Sequence, residues 1–430
     1  MSKNKSISLI SLGCAKNLVD SEILLGGLRT GKLNIVDNPE DSNIVIVNTC
    51  GFLDAARKES IEVILDAAEL KKTANVEQLI VMGCFSQRYG SELRKELPEV
   101  DEFFGINDHA KIVSFLTGKP YSKNDPEFFR SLLTPNHYAY LKIAEGCDNG
   151  CSFCSIPLIR GVQKSKSIDW CVGEAQRLVD TGVKEILLIA QDTTSYGWDL
   201  NPRKGLHELI RELNKIDDLD WLRLHYAHPS HLQREVIELF KNTEKLVPYI
   251  DIPIQHTSDR LLKLMRRGLG INGIKKRLDA LRNTNPNIAI RTSVIVGHPT
   301  ETDKDFDELY KFIYEFEFDR LGVFTYSEEE DTFSATMKND VPEQIKIDRM
   351  DALMMLQQDI SLMKNEKLIG TTETVLIDSH TTDGHSIGRT FRDSPEVDNR
   401  VIVTGEHQLG EFVDVTFTQA TDYELQGEVE

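Results

Sequence analysis

Short apolar runs alternate with longer amphipathic stretches over the first third of the chain. The apolar runs lie at residues 6–13, 44–49 and 78–83. Helical patterns follow the first two at 16–28 and 54–70, and another helical stretch follows the third after Cys84. This alternation predicts strands joined by crossover helices, because each strand then returns to the same sheet in a parallel direction. We therefore expect an amino-terminal α/β domain built on a parallel sheet.

Six further apolar runs follow in the centre of the chain, and helical patterns separate them. They lie near residues 138–144, 185–190, 221–226, 249–254, 289–296 and 320–326. Six βα units without a long antiparallel section predict a (βα)6 barrel or partial barrel that is open enough to admit a large substrate. In such a fold, ligands lie at the carboxyl ends of the strands.

The end of the chain has a different pattern. Short alternating segments at 373–378, 400–404 and 411–417 are separated by Gly and Asp/Asn turns. They predict a small antiparallel β-barrel. The fold class is therefore α/β with a terminal β-barrel, and we place the domains at residues 5–121, 137–368 and 369–430. A segment of mixed charge with prolines at 122–136 is predicted to be a linker.

Composition and charge narrow the function. The chain has 430 residues, of which 40% are hydrophobic and 28% charged, as in a globular protein of two or three domains. We find no signal peptide and no apolar stretch of membrane-spanning length, so we expect a cytoplasmic protein with no membrane partner. The net charge is −19, and residues 370–430 alone hold 13 acidic and 3 basic side chains. This acidic end predicts a basic partner.

Three cysteines stand close together in Glu145-Gly-Cys147-Asp-Asn-Gly-Cys151-Ser-Phe-Cys154. A structural zinc site would need a fourth ligand, usually from a second ligand pair, and no Cys-x2-Cys or His-x3-His pair appears elsewhere in the chain. A 4Fe-4S cluster held by three cysteines keeps one iron open, as a catalytic cluster requires. The loop therefore predicts an iron–sulfur site, and a structural cysteine loop is the alternative.

Three other cysteines each follow a predicted strand of the amino-terminal domain. They are Cys14, Cys50 and Cys84. Because parallel strands end at the same edge of a sheet, these thiols should converge there. A single cysteine after a strand is commonly a small core residue, but three in equivalent positions favour a second metal site. The seventh cysteine, Cys171, lies in a predicted helix and is expected to pack in the core.

Several motifs carry a family resemblance. The spacing of Cys147, Cys151 and Cys154 resembles the signature of radical S-adenosylmethionine enzymes, whose open iron binds that cofactor. The segments at 11–22, 48–52 and 82–84, with Cys14, Cys50 and Cys84, resemble the amino-terminal domain of methylthiotransferases. That resemblance implies a second 4Fe-4S cluster on these cysteines, whose open iron carries the sulfur to be transferred. The ending Tyr423-Glu-Leu-Gln-Gly427 resembles a TRAM domain.

Polar residues at the ends of the central strands are candidate contacts of S-adenosylmethionine by the same resemblance. They are Gln191, Asp192, Gln255 and Gly297, although a polar residue after a strand is as often a helix cap. One position departs from the family pattern, since Thr300 stands in Gly297-His-Pro-Thr-Glu301 where a second glycine is expected. We assign no catalytic residue beyond the cysteine ligands.

Two classes of methylthiotransferase compete, one that modifies an adenosine in tRNA and one that modifies an aspartate of protein twelve of the small ribosomal subunit. The segments at 138–146, 251–256 and 319–327 resemble the ribosomal-protein class. The acidic barrel would repel a phosphate backbone and attract a basic ribosomal protein, through acids such as Asp393, Glu396 and Asp398. The resemblance thus implies methylthiolation of the aspartate β-carbon, with the tRNA enzyme as the alternative.

This function implies several partners. They are S-adenosylmethionine, an electron donor, a sulfur donor, and the ribosomal protein or its assembled subunit, whereas tRNA is not expected to bind. An iron–sulfur scaffold or electron carrier is a different alternative. It is disfavoured because both cysteine triads leave an open iron.

Overall fold

A computed structural model describes residues 5–120 and 130–429. The chain forms two compact units, and the first contains Met1–Thr134, Glu145–Asp148 and Ser155–Val162. The second contains Pro135–Ala144, Asn149–Cys154 and Gln163–Glu430. Residues 122–129 of the predicted linker lie outside the described residues. The linker and the domain boundaries given above therefore stay predictions.

The first unit is built on a five-stranded parallel sheet. Its strands are β1 (Ser6–Ser11), β2 (Asn34–Ile35), β3 (Ile44–Thr49), β4 (Gln78–Gly83) and β5 (Glu102–Phe103). The order across the sheet is β2-β1-β3-β4-β5, and every pairing is parallel. The predicted parallel sheet is confirmed. The short edge strands β2 and β5 were not predicted from the apolar pattern.

Helices cover both faces of this sheet, which explains why its central strand is apolar at nearly every position. The helices are α1 (Ala15–Thr30), α2 (Asp54–Thr73), α3 (Cys84–Glu96), α4 (His109–Thr117) and the short α5 (Ile156–Arg160), with a 3-10 turn at Pro39–Asp41. Along β3, Val45 and Val47 join one buried cluster, whereas Ile44 and Ile46 join the other. Each face of the strand is thus covered by its own hydrophobic layer.

The second unit contains the central strands. Two short strands flank the cysteine loop in sequence, β7 (Ala144–Glu145) and β8 (Lys164–Ser165). The main strands are β6 (Tyr138–Lys142), β9 (Glu185–Ile189), β10 (Trp221–Leu224), β11 (Leu246–Asp251), β12 (Ala289–Val296) and β13 (Arg320–Thr325). These six form one sheet in the order β13-β12-β11-β10-β9-β6, with parallel pairings throughout. The six predicted strands and their parallel direction are confirmed.

Helices separate the strands of the second unit as the apolar pattern predicted. They are α6 (Ile168–Asp180), α7 (Leu206–Leu213), α8 (Arg234–Asn242), α9 (Asp259–Leu264), α10 (Ile271–Thr284), α11 (Asp303–Phe316) and α12 (Glu343–Glu366), with a 3-10 turn at Ser334–Thr336. Cys171 is buried in α6, as expected of a packing residue. Over residues 5–120 and 130–429, no helix combines the length and apolarity needed to cross a membrane.

The chain ends in a closed five-stranded barrel. Its strands are β14 (Thr372–His380), β15 (Ser386–Arg389), β16 (Arg400–Val403), β17 (Phe412–Ala420) and β18 (Glu424–Val429), in the order β14-β15-β16-β18-β17. Four of the five pairings are antiparallel, and β16 pairs with β18 in parallel. The predicted barrel is confirmed, with this one parallel contact added.

Buried ion pairs join the barrel to the six-stranded sheet within the second unit. Arg320 of β13 donates from Nε to Oδ1 of Asp393 at 2.8 Å, and Arg291 of β12 donates to Oδ1 of Asp398 at 3.2 Å. Both carboxylates are almost fully buried. The expectation that Asp393 and Asp398 face a basic partner is therefore wrong, because arginines of the same chain already hold them. Glu396 is exposed, as that expectation requires.

A second buried network centres on Glu185 at the start of β9. Its Oε1 accepts from Nε of Arg223 at 2.7 Å, and its carboxylate forms an ion pair with Arg389 of the barrel. Arg223 also donates to the backbone oxygen of Phe391 at 2.6 Å. All three charged side chains are excluded from water, so each depends on its partners for compensation.

Candidate functional site

The structure places the three amino-terminal cysteines at one edge of the first sheet. Cys14 lies between β1 and α1, Cys50 directly follows β3, and Cys84 follows β4 as the first residue of α3. Because β1, β3 and β4 are neighbours that run in parallel, their carboxyl ends meet. The predicted convergence of the strand ends is observed, and the role of the thiols as cluster ligands stays a prediction.

Close backbone contacts between the loops explain two glycines beside these cysteines. A Cβ atom on Gly13, whose φ is +88°, would lie 2.7 Å from the Cβ of Cys50. A Cβ atom on Gly51 would lie 2.6 Å from the Cα of Phe85, the residue after Cys84. Real Cβ atoms do not approach other atoms so closely, so a side chain at either position would push the cysteine loops apart.

Asn17 links the ends of two of these strands. Its side-chain amide donates to the backbone oxygens of Leu12 at 2.8 Å and of Thr49 at 3.1 Å. The Asn17 Oδ1 atom lies 3.7 Å from the Sγ of Cys84. One buried amide therefore fixes the loop after β1 against the loop after β3, beside the third thiol.

Arg160 is a buried cation next to the same thiols, and it was not among the residues predicted from the sequence. It ends α5, and 6% of the residue is exposed. Its Nη2 donates to Oδ2 of Asp20 at 3.1 Å and to the Sγ of Cys84 at 3.3 Å, and its Nη1 donates to Oε1 of Glu145 at 2.9 Å. The only available signal was a lone basic residue in the apolar segment at 156–160.

The thiols of this edge differ in acidity. Burial raises the pKa of Cys84 to about 12, although the positive charge of Arg160 opposes that effect. Burial also raises the pKa of Cys50. Crowding by protein atoms acts to raise the pKa of Cys14, but the charges of Lys16 and Arg160 outweigh it, so that pKa is lowered. A buried thiol loses its proton readily when a metal takes the proton's place, so the donor set fits an iron–sulfur cluster.

The second cysteine loop divides between the two units. In the first, the backbone N–H of Cys147 donates to the oxygen of Gly161 at 3.0 Å. In the second, the N–H of Cys154 donates to the oxygen of Cys151 at 3.2 Å. Nη1 of the buried Arg267 lies 3.4 Å from the Sγ of Cys151. A guanidinium thus stands beside a thiol of this loop too. Ligation of a cluster by Cys147, Cys151 and Cys154 stays a prediction from their spacing.

Serine contacts hold the Cys151–Cys154 part of the loop in place. The N–H of Ser152 donates to the oxygen of Met265 at 3.1 Å, and its hydroxyl accepts from that of Ser334 at 2.8 Å. The N–H of Ser334 donates to the oxygen of Ser152, also at 2.8 Å. These bonds hold this part of the loop against the rest of the second unit.

Asp192 is the most strongly held of the predicted strand-end residues. Its Oδ1 accepts from both the N–H and the hydroxyl of Thr194, and its Oδ2 accepts from Nδ2 of Asn149 at 2.9 Å. The Nδ1 atom of His231 lies 2.6 Å from the same Oδ2. Burial acts to raise the pKa of Asp192, but these bonds and two nearby histidines keep it well below the ordinary value.

His228 and His231 come together beside Asp192, with ring centroids 4.6 Å apart. Among the described residues, this trio is the one group of potential ligands compact enough to suggest a metal ion. Both histidines lie in a turn that contains Pro229 rather than on one face of a helix. Burial, with the nearby charge of Arg267, lowers the pKa of His228 to about 3. The trio does not fit a metal site, because Thr194, Asn149 and His231 already occupy the Asp192 carboxylate and the positive charge of Arg267 lies nearby.

Other residues at or near the strand ends have a left-handed backbone conformation. Gln255 and Gly297 have φ values of +70° and +75°, and Thr300 has a φ of +71°. The N–H of Gly297 donates to Glu301, and burial raises the pKa of that carboxyl to about 7. The glycine that the family pattern places at position 300 is thus explained by its left-handed conformation, which threonine adopts here. Contacts of these residues with S-adenosylmethionine stay predictions.

Comparison with known families agrees with this division of the chain. A model described as an uncharacterised protein family, UPF0004, matches residues 6–105. The model of the radical SAM superfamily matches residues 141–313, and the TRAM domain model matches residues 369–429. All three parts of the predicted organisation are therefore present.

Solved structures show the same fold at low sequence identity. The radical S-adenosylmethionine methyltransferase TsrM from Kitasatospora setae, solved with cobalamin and a [4Fe-4S] cluster, matches with a TM-score of 0.55 and 13% identity over 75% of each chain. The cobalamin-dependent S-adenosylmethionine radical enzyme OxsB matches with a TM-score of 0.52 and 12% identity, over 82% of this chain and 56% of that one. At these identities the likeness concerns the fold alone.

Curated relatives match over nearly the full length. Proteins named "Ribosomal protein uS12 methylthiotransferase RimO" are 44% identical in Christiangramia forsetii, over 99% of this chain and 94% of the relative, and 45% identical in Prosthecochloris aestuarii, over 99% and 98%. The relative of the same name from Chlorobium phaeobacteroides is 46% identical over 100% and 97%. The chain therefore belongs to the RimO family of ribosomal protein uS12 methylthiotransferases.

Proposed function

We propose that this protein is a radical S-adenosylmethionine enzyme that methylthiolates ribosomal protein uS12, at the β-carbon of an aspartate. The observation that carries this proposal is identity of 43–46% over at least 98% of the chain with relatives of that name. The product would be 3-methylthioaspartate. Since the substrate belongs to the ribosome, the enzyme would act in the cytoplasm.

Mass spectrometry of ribosomal proteins and of tRNA, from cells with and without the gene, tests the substrate. Loss of a methylthio group from uS12 alone is expected. Loss of a methylthio group from tRNA with uS12 unchanged would identify the adenosine-modifying activity instead.

The cofactors would be two 4Fe-4S clusters and S-adenosylmethionine. Cys14, Cys50 and Cys84 would hold one cluster, and Cys147, Cys151 and Cys154 the other. The meeting of three strand ends supports the first assignment, and the restrictive loop spacing supports the second. An electron donor and a sulfur donor would complete the reaction.

Iron content after anaerobic reconstitution tests the two-cluster assignment. The wild type should bind about eight irons if each cluster is a four-iron cube, and replacing either triad by alanine should halve that number. Replacing Cys171 by serine is the control and should leave iron unchanged. An unchanged iron content after replacing Cys14, Cys50 and Cys84 would remove the first cluster.

The target C–H bond explains why radical chemistry is needed. A hydrogen on the β-carbon of aspartate is far too weakly acidic for a side-chain base whose pKa lies near neutrality. Bound S-adenosylmethionine would supply a 5′-deoxyadenosyl radical instead. The residues of this chain would hold the reactants: Ser152 and Arg267 fix the cysteine loop, and Asp192 presents a charged, hydrogen-bonded strand end.

Deuterium on the substrate β-carbon should then appear in 5′-deoxyadenosine, and its absence during turnover would contradict the scheme.

The carboxyl-terminal barrel would attract uS12 through acids that remain exposed. Because Asp393 and Asp398 are buried in ion pairs, we assign this attraction to the exposed acids of the barrel, which include Asp383, Glu406 and Glu428. Long-range attraction of this kind raises the association rate more than the final affinity, and salt weakens it.

Reversal of these three acids to lysine should slow uS12 binding at low salt. The difference from the wild type should shrink as salt rises, because screening removes the attraction from the wild type. A reversed protein that binds uS12 as fast as the wild type at low salt would remove the barrel from substrate recognition. Tighter binding of tRNA than of uS12 by the wild type would favour the tRNA enzyme.

A further inference from the structure

Arg160 makes more contacts than the burial of its positive charge requires. A buried guanidinium needs a carboxylate partner, and Asp20 already supplies one, with 3.1 Å contacts to both Nη1 and Nη2. Two further bonds extend to Glu145 and to the amide oxygen of Asn17. The Nη2 atom nevertheless also donates to the Sγ of Cys84 at 3.3 Å.

The chemistry of that sulfur contact suggests its purpose. A neutral thiol is a weak hydrogen-bond acceptor, whereas a thiolate attracts a guanidinium both as an anion and as an acceptor. The contact is therefore much stronger when Cys84 is deprotonated, which is its state as a ligand of iron. Arg160 is thus directed at the metal-bound form of its neighbour.

We propose that Arg160 is a positioning residue that donates a hydrogen bond to the Cys84 sulfur of the bound cluster and raises the reduction potential of that cluster. This inference rests on the proposed ligation by Cys14, Cys50 and Cys84. Hydrogen bonds to the sulfurs and nearby positive charge stabilise the more negative, reduced form of an iron–sulfur cluster, so they raise its potential. Burial strengthens the effect because water does not screen the charge.

Arg267 offers a matched counterpart in the second unit. Its Nη2 donates to the backbone oxygen of Pro253 at 2.7 Å, and its Nη1 lies 3.4 Å from the Sγ of Cys151. Each cysteine triad therefore contains one sulfur with a buried guanidinium beside it. Substituting one arginine should affect one cluster and leave the other unchanged.

The test uses two full-length backgrounds that each retain a single triad. One carries alanine at Cys147, Cys151 and Cys154, and the other at Cys14, Cys50 and Cys84. Each is reconstituted anaerobically, its iron is counted, and its potential is measured by redox titration followed by electron paramagnetic resonance. In the first background, Arg160→Gln should retain about four irons and shift the potential to a more negative value. In the second background, Arg160→Gln should have no effect, whereas Arg267→Gln should lower the potential.

Each outcome decides the proposal. An Arg160→Gln protein that holds its iron at an unchanged potential overturns it. If Arg160→Gln binds no iron, Arg160→Lys decides: iron restored at nearly the original potential supports a role for the charge, and a lysine variant without iron overturns it. A first background that binds no iron, even with Arg160 intact, would refute the ligand assignment of Cys14, Cys50 and Cys84 and the inference built on it.

Discussion

Thr300 is a residue whose backbone conformation opposes its side chain. A β-branched residue at a φ of +71° is strained, at a cost of about 1–3 kcal/mol for a residue other than glycine. Arg260 offsets part of this cost, since its Nη1 donates to the Thr300 hydroxyl at 2.9 Å and its Nη2 to the backbone oxygen at 2.8 Å.

Thr300→Gly should therefore stabilise the protein by about 1 kcal/mol, because relief of the strain exceeds the loss of one exposed hydrogen bond. Thr300→Ala is the matched control, since it loses the hydroxyl and keeps the unfavourable φ, and it should destabilise. Thermal unfolding of the two variants measures the effect. A lower melting temperature for Thr300→Gly than for the wild type would contradict this account.

His256 should make stability depend on pH. Burial lowers its pKa to about 3, and its Nδ1 accepts from the N–H groups of Thr257 and Ser258 at 2.9 and 3.0 Å. Between about pH 6.5 and pH 3, this histidine is protonated in the unfolded state but neutral in the folded state. Its contribution to the free energy of unfolding is therefore complete above pH 6.5 and is lost as the pH falls. The slope from this one residue is about 1.4 kcal/mol per pH unit.

His256→Gln should reduce the fall in melting temperature between pH 7.5 and pH 5.5, whatever its effect at pH 7.5. His380→Gln, at an exposed position, serves as the control and should leave the fall unchanged. An identical fall in the wild type and in His256→Gln would show that other groups cause the acid sensitivity.

At the residue scale, sequence patterns identified the cysteines but not their neighbours. A spacing such as Cys147-x3-Cys151-x2-Cys154 is local, so it can be read directly along the chain. Arg160 reaches Cys84 across 76 positions, and Asp192 meets His231 across 39. Such contacts depend on the packing of separate elements, and nothing local to an arginine or a histidine predicts them.

At the scale of elements, the approach of the loops after β3 and β4 depends on one glycine. The Cα of Phe85 would lie 2.6 Å from a Cβ on Gly51, and its backbone N would lie 2.7 Å away. These are backbone atoms, so they cannot turn aside as the end of a flexible side chain can.

Gly51→Ala should therefore separate Cys50 from Cys84 and reduce iron binding by about half, as loss of one of two four-iron clusters would. Gly90→Ala is the control, because a Cβ there meets nothing within 4 Å. Alanine in the helix α3 should leave iron unchanged and stabilise by up to about 1 kcal/mol. Full iron content in Gly51→Ala would show that the loops yield without losing the site.

The sequence predicted the long elements well and the short ones poorly. Buried parallel strands such as β3 are continuous apolar runs, and the helices between them carry clear amphipathic patterns. The two-residue edge strands β2 and β5 are too short to carry a pattern. The parallel contact of β16 with β18 was also beyond reach, because short alternating strands with tight turns indicate only antiparallel neighbours.

At the scale of the whole chain, the sequence predicted how much negative charge the barrel carries but not which groups that charge contacts. Counting acids located the negative excess in the carboxyl-terminal barrel. Composition alone could not reveal that some of those acids are neutralised by arginines of the six-stranded sheet, because those arginines lie far away in sequence. The surface of the barrel therefore carries less negative charge than the composition of the barrel suggests.

Breaking one of these buried pairs should be costly. Arg320→Met leaves the carboxylate of Asp393 buried without its partner, and such losses cost about 3–5 kcal/mol. Arg400→Ala, which removes an exposed pair with Glu424, is the control and should cost no more than about 1 kcal/mol. Denaturant unfolding, with limited proteolysis near residue 369, measures both. Equal stability of the two variants would show that the buried pair does not hold the barrel in place.

The buried pairs also limit how this protein can be recombined. Asp393 and Asp398 have their counter-ions, Arg320 and Arg291, on strands more than seventy positions earlier in the chain. A chimera that replaces the barrel with a relative's barrel, cut at residue 369, would leave those arginines buried without a counter-ion wherever the new barrel lacks an acid at the position of Asp393 or Asp398. A workable exchange must carry Arg291 and Arg320 along with the barrel, so the transferable module is the barrel together with the strand positions that neutralise it.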